Sequence, residues 1–266
     1  MITPFLRALP DLARVSVARH IAYRAEMTIW ILMATLPLVM LAMWNAVAAD
    51  GPVAGYGQAE MARYFVAGLI VRQLTGSWVV WELSFSIRQG RLSAQLLRPM
   101  NPLLPHAVWM ITALPFRVAI LSPIVIGVIA WRPDLLALPS LSAATLFVVS
   151  CALAWLLGFL VQCVFGLLSF WLDKSDGMFG VWFAAWALLS GYVAPLDVFP
   201  ESMATALRWM PFRSMHATPV ELLGGFLDPA DALADVAIQI GWCAVAWALV
   251  AVLWRRGLVR YGAFGA

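Results

Sequence analysis

From Leu141 to Leu172 the chain carries no charged residue. A helix needs about 20 apolar residues to cross a bilayer, so this run exceeds one crossing and must tilt or project beyond the membrane. The whole chain is 63% hydrophobic and only 12% charged, with a mean hydropathy of +0.87. A soluble domain carries about 25% charged residues. The expectation is an all-α integral membrane protein. Its small basic surplus, +3, gives no case for a nucleic-acid partner.

The apolar runs predict six transmembrane helices, at about residues 28–49, 62–81, 107–131, 141–172, 178–195 and 236–254. Pro37 is a kink candidate in the first. Residues 1–27 form a basic, partly helical arm with Arg7, Arg14, Arg19 and Arg24, and no compact signal-peptide core. The expected organisation is one unit: arm 1–27, six-span bundle 28–254 and tail 255–266. Residues 196–235, broken by Pro200, Pro211, Pro219 and Pro229, predict short helices partly dipping into the outer face. Basic residues set the orientation. With both termini in the cytoplasm, the inner segments hold the four arm arginines, Arg88, Arg91, Arg98, Lys174, Arg255, Arg256 and Arg260. The outer ones hold Arg132, Arg208 and Arg213, with Arg63 at a span boundary. The loop Arg132-Pro133-Asp134 then turns outside, and residues 173–176 turn inside.

One polar interruption, residues 82–105, lies between spans 2 and 3. Leu83 and Ile87, then Leu92 and Leu96, are spaced by four, which puts them on one helical face and the charges on the other. Gly90 bends the segment, while Pro99, Pro102 and Pro105 stop helix after it. Such a helix lies flat at the inner surface. Its charged edge, Glu82, Arg88 and Arg91, either rests on anionic headgroups or is free to meet a soluble partner.

The chemistry that is missing narrows the function. The carboxylates fall in loops or at span ends, so none is placed to bind a coupling ion within the membrane. His20, His106 and His216 sit at edges, and Cys151, Cys163 and Cys243 lack ligand spacing. No metal site and no catalytic residue is expected. There is no HExxH, GxSxG or GxxxxGK[ST]. If this chain moves something uphill, another chain supplies the energy.

Two further features stand out within the spans. Gly177, Gly180, Ala184, Ala187 and Gly191 recur at spacings of three and four, making a smooth face for close helix packing, within the subunit or between subunits. Arg72 and Arg117 fall near mid-membrane, where a charge must be paired or wet. They either bond backbone carbonyls and Gln73 or Gln162, or line a watered cavity that accepts an anionic group. Tryptophans near span ends, such as Trp44, Trp81 and Trp254, read as an interfacial belt.

The runs IRQGRLSAQLLRP at 87–99, SFW at 169–171 and SGYVAPLDVFP at 190–200 together resemble the membrane subunits of ABC-2 type transporters. MPF at 210–212, Pro219 and Gly224-Gly225 add to the likeness, which covers about residue 60 to the end. The resemblance implies a permease subunit of an ATP-driven exporter in a bacterial inner membrane, with no catalytic site of its own. It implies two permease subunits, identical or homologous, over two cytoplasmic ATPase chains that hold the ATP and Mg. It also implies a coupling helix carrying Glu82, Arg88, Gly90, Arg91, Arg98 and Pro99, re-entrant outer helices at 197–226, and a dimer contact through spans 1 and 5. Cargoes of such proteins are lipids, glycans, drugs or peptides. A membrane assembly subunit and a lipid-modifying enzyme are the alternative expectations.

Overall fold

The computed structural model describes residues 2–25, 28–29, 35–132, 135, 140–173 and 175–263. Residues 30–34 of expected span 1, Pro133 and Asp134 of the outer turn, and Lys174 of the inner loop therefore lie outside the described residues. Among the described residues all regular structure is helical, beside one isolated bridge between Val53 and Tyr56. Three helical stretches are long and apolar enough to cross a membrane: Leu103–Val128, Leu141–Phe170 and Ala230–Gly262.

The N-terminal helix α1 (Ile2–Ala22) is followed by α2 (Leu36–Val47). Pro37, the expected kink of span 1, stands in the first turn of α2, where its missing N–H leaves no bond unmade. Helix α3 (Gln58–Thr75) starts where the Glu60 carboxylate accepts the Gly57 amide at 3.1 Å. It stops at Thr75, and α4 (Val79–Arg88) begins after a gap of three residues. The expected span 2 is thus two helices with a break between them.

Helix α4 shows what the apolar face of 82–99 packs against. Leu83 and Ile87 are buried in the bundle core, and Leu83 fills the space that Gly166 leaves open; a Cβ there would meet its Cδ2 at 2.8 Å. Residues 82–88 therefore pack into the helical core. Gly90, with φ +70°, then turns the chain into the short helix α5 (Leu92–Leu96). This left-handed turn suits a residue without a Cβ.

Span 3 is also two pieces, α6 (Leu103–Thr112) and α7 (Leu114–Trp131). Pro105 was expected to stop helix, yet it lies in the first turn of α6. Pro115 occupies the same kind of place in α7, which accounts for the join at Ala113. Helix α8 (Leu141–Leu167) begins with the Ser140 hydroxyl accepting the Ala143 amide at 3.3 Å. Helix α9 (Ser175–Leu189) ends sooner than expected for span 5. Its 15 residues reach about 22 Å, short of a hydrocarbon core about 30 Å thick. Three short helices follow: α10 (Glu201–Arg208), α11 (Pro211–Met215) and α12 (Ala217–Gly224). The chain closes with the 35-residue α13 (Pro229–Ala263).

Helix α8 is the axis of the bundle, with α13, α4 and α12 packed around it. Small residues allow the close approach: Gly257 of α13 lies against the Phe170 ring. Inside a bilayer this interlocking, rather than exclusion of water, holds helices together. On the opposite flank α1 docks on α6. The His20 ring stacks on Trp109 at 5.8 Å, and its Nε2 lies 3.0 Å from the Trp109 carbonyl. That carbonyl can only accept, so Nε2 carries the proton. Burial holds the His20 pKa below its ordinary 6.5, keeping the ring neutral at neutral pH.

Candidate functional site

The break in span 2 begins with glycine. At Gly76 the backbone becomes extended, and a Cβ there would lie 3.1 Å from the Arg72 carbonyl and 3.2 Å from Arg117 Nη1. The preceding residue, Thr75, donates its hydroxyl to the Val71 carbonyl one turn back at 2.8 Å, a contact that competes with the helical ladder. Breaking a helix inside a membrane is tolerable only if the freed backbone groups find other partners.

Two side chains from other helices supply them. Arg117 Nη1, from α7, donates to the Gly76 carbonyl at 2.6 Å and the Gln73 carbonyl at 3.4 Å. Gln162, from α8, donates to the Ser77 carbonyl and hydroxyl, both at 2.7 Å. Its Oε1 accepts the Val79 amide at 2.9 Å. Arg117 thus places positive charge against the carbonyl end of α3, where it is favoured.

Arg72 has a different environment. Its guanidinium lies 5.4 Å from the Trp78 ring, 5.2 Å from Trp186 and 5.7 Å from Tyr192. The buried Nε has no hydrogen-bond partner, and no carboxylate among the described residues pairs with it. Arg72 lines a cavity of about 30 Å³ together with Ser77, Trp78, Gln162 and Trp186. The two arginines are thus neighbours with separate duties: one bonds carbonyls, the other is enclosed by aromatic rings and bonds the Tyr192 side chain.

On the expected charged edge, Glu82, Arg88 and Arg91 each have a contact within the chain, while Arg88 and Arg91 stay exposed. Glu82 pairs with Arg19 of α1 at 3.7 Å. Arg88 donates to the Asp173 carbonyl at 2.6 Å and lies 3.4 Å from Asp176. Arg91 sits over the Phe85 ring at 4.8 Å. Exposure extends from residues 88–91 to a tip at 96–99, where Leu97 is 88% exposed and Arg98 and Pro99 are exposed beside it. The end of α13 reaches the same region, with the Tyr261 hydroxyl 3.1 Å from Ser93 Oγ.

The small-residue series divides. Gly177, Gly180 and Ala184 are exposed, and added Cβ atoms at the two glycines would meet nothing within 4 Å. Ala187 packs against the core. Gly191 is not on the helix at all: it lies beyond Leu189 with φ +86°, and its carbonyl accepts the Tyr64 hydroxyl at 2.8 Å.

The spacing rules missed the outer ion cluster. Arg213 of α11 pairs with Glu221 of α12 and Asp235 of α13, each at 2.6 Å, and all three side chains are nearly buried. Nearby, the Tyr56 hydroxyl donates to Asp197 at 2.8 Å. Burial and then that carboxylate push the Tyr56 pKa up, so the hydroxyl keeps its proton. The two carboxylates read as loop or span-end groups, Glu221 and Asp235, thus have a buried partner. The signal available was one arginine in an otherwise apolar MPFRSM run. Among the described residues no three potential ligands gather to hold a metal, and the cysteines are free and buried.

A family model described as ABC-2 family transporter protein matches residues 27–265. No curated protein matches the chain.

Proposed function

The chain belongs to the ABC-2 family of transporter proteins, and from that premise we propose that it is the permease subunit of an ATP-driven exporter. Family membership makes it a multi-pass membrane subunit that associates with an ABC ATPase and is not itself an ATPase. Beyond that, six spans cross a bacterial inner membrane with both termini in the cytoplasm. Helices α3 and α4 together make span 2, and α9 with the irregular residues after it makes span 5. ATP and Mg reside on the partner, and the cargo is lipid, glycan, drug or peptide-like.

The observation that carries the coupling role is the exposed tip at residues 96–99, joined to span 2 by the buried Leu83, Ile87 and Leu92. A partner pressing on that tip pushes on packed helices. Glu82, Arg88 and Arg91 support the segment from within through the pairs described above, while Gly90 sets its turn. Leu97→Glu with Arg98→Glu alters exposed side chains alone. The double variant should reach the membrane in normal amount, yet its yield of co-purified ATPase should fall at least tenfold. Undiminished co-purification with full cargo-stimulated ATP hydrolysis contradicts the coupling role.

A second permease subunit, identical or homologous, meets this one along Gly177, Gly180 and Ala184, which lack neighbours in the single chain. Ala184→Leu adds bulk to that face and should shift the purified protein toward monomer without lowering its thermal midpoint. A dimer of unchanged stability places the contact elsewhere.

A further inference from the structure

We propose that the cavity beside the break in span 2 binds the anionic head, a carboxylate or phosphate, of an amphiphile through Arg72 and Trp186. The first argument is charge. Two arginines come together in the middle of the bundle: a Cβ on Gly76 would lie 3.2 Å from one Nη1 and 3.8 Å from the other. Arg117 is committed to the carbonyls of Gln73 and Gly76. Arg72 faces three aromatic rings, and such contacts only partly offset the desolvation of a guanidinium. A counter-ion is the component that completes the arrangement.

The second argument is the inventory of donors and acceptors. Arg72 Nε is buried without an acceptor. The same holds for Nε1 of Trp186, a residue only 4% exposed that lines the same cavity. An indole N–H and a guanidinium N–H can only donate. Neither Asp nor Glu lines the cavity, so a ligand oxygen is the acceptor that would serve both donors at once. A carboxylate or phosphate oxygen matches both donors and the charge.

The third argument concerns the rest of the ligand. Away from Arg72 the cavity wall is Phe179, Trp182 and Phe183 of α9 with Met215. Aromatic and thioether surface suits a hydrocarbon chain and not a second charge. The space beside Arg72, about 30 Å³, has room for a small head group or two or three waters. The proposal rests on the transporter reading only for the ligand's role as cargo; binding itself does not need the ATPase.

The test uses the purified permease in a nonionic detergent. Dodecanoate brominated along its chain should quench part of the tryptophan fluorescence saturably. Dodecyl phosphate should compete with it, and dodecyltrimethylammonium should not. Arg72→Gln should weaken the apparent affinity at least tenfold, and Trp186→Phe several-fold, with the elution profile of the protein unchanged. Arg72→Lys should retain part of the affinity. Competition by the cationic amphiphile equal to that by dodecyl phosphate overturns the proposal, as does unaltered affinity in Arg72→Gln. If Arg72→Gln does not fold, Trp186→Phe decides, and unchanged affinity there overturns it. Inorganic phosphate or acetate competing as well as dodecyl phosphate assigns the cavity to a free anion, which also overturns it. A permease that binds dodecanoate as expected but recruits no ATPase refutes the exporter reading alone.

Discussion

Arg213→Ala is expected to destabilise the protein by about 3–5 kcal/mol, because it leaves two buried carboxylates without their partner. Glu221 and Asp235 each lie 2.6 Å from the Arg213 guanidinium, with side chains only 11% and 13% exposed. In a protein of this length that loss lowers the thermal midpoint by on the order of 10 °C. A guanidinium can hold two carboxylates in a fixed fork, whereas an ammonium is a point charge. Arg213→Lys should therefore fall between wild type and alanine. Removing all three charges together, as Arg213→Met, Glu221→Gln and Asp235→Asn, should recover most of the midpoint, since the loss comes from the orphaned charges. Thermal unfolding in detergent measures all three variants. A midpoint unmoved by Arg213→Ala contradicts the role of the cluster.

Gln162→Leu is the second large effect, and it falls on the break in span 2. Leucine fills a similar volume but neither donates nor accepts. The Val79 amide and the Ser77 carbonyl lose partners at 2.9 and 2.7 Å. Each buried group left unmade costs about 1–3 kcal/mol, so the expected loss is about 2–5 kcal/mol. Gln162→Glu keeps the acceptor for Val79 and loses the donor to Ser77, and should lie between. The same thermal measurement applies, and a stable leucine variant shows that the break is supported by something other than Gln162.

The helical class and the transporter family were legible because they depend on long-range composition and on motifs such as IRQGRLSAQLLRP. The runs at 107–131, 141–172 and 236–254 coincide with the three long apolar stretches of the structure. What escaped sequence reasoning was local and three-dimensional. Nothing in the apolar run 62–81 announces a break, since Gly76 and Ser77 are tolerated in a continuous span; the partners that stabilise the break lie on α7 and α8. Pro105 has two meanings, stop or first turn, and only the position of Leu103 at the start of α6 selects between them. Gly191 continued the small-residue spacing by arithmetic, although the helix had already ended at Leu189. The ion cluster joins positions 213, 221 and 235 on three different helices, a pattern without any helical period.

The unbroken course of α13 has a mechanical meaning. Near one end, Asp235 holds Arg213 and Gln239 donates to the Ser214 carbonyl at 2.7 Å. At the other, Tyr261 touches Ser93 beside the exposed tip. The paths α3–α4 and α6–α7 are both interrupted midway, so each has a joint that a rigid push would have to cross. The stretch of α13 between its two attachments is a stiff rod about 40 Å long. Rocking that rod by about 5° about its centre carries its ends about 2 Å in opposite directions. A push delivered at Ser93 would then arrive at α11 with its sense reversed, without having to pass through the jointed helices.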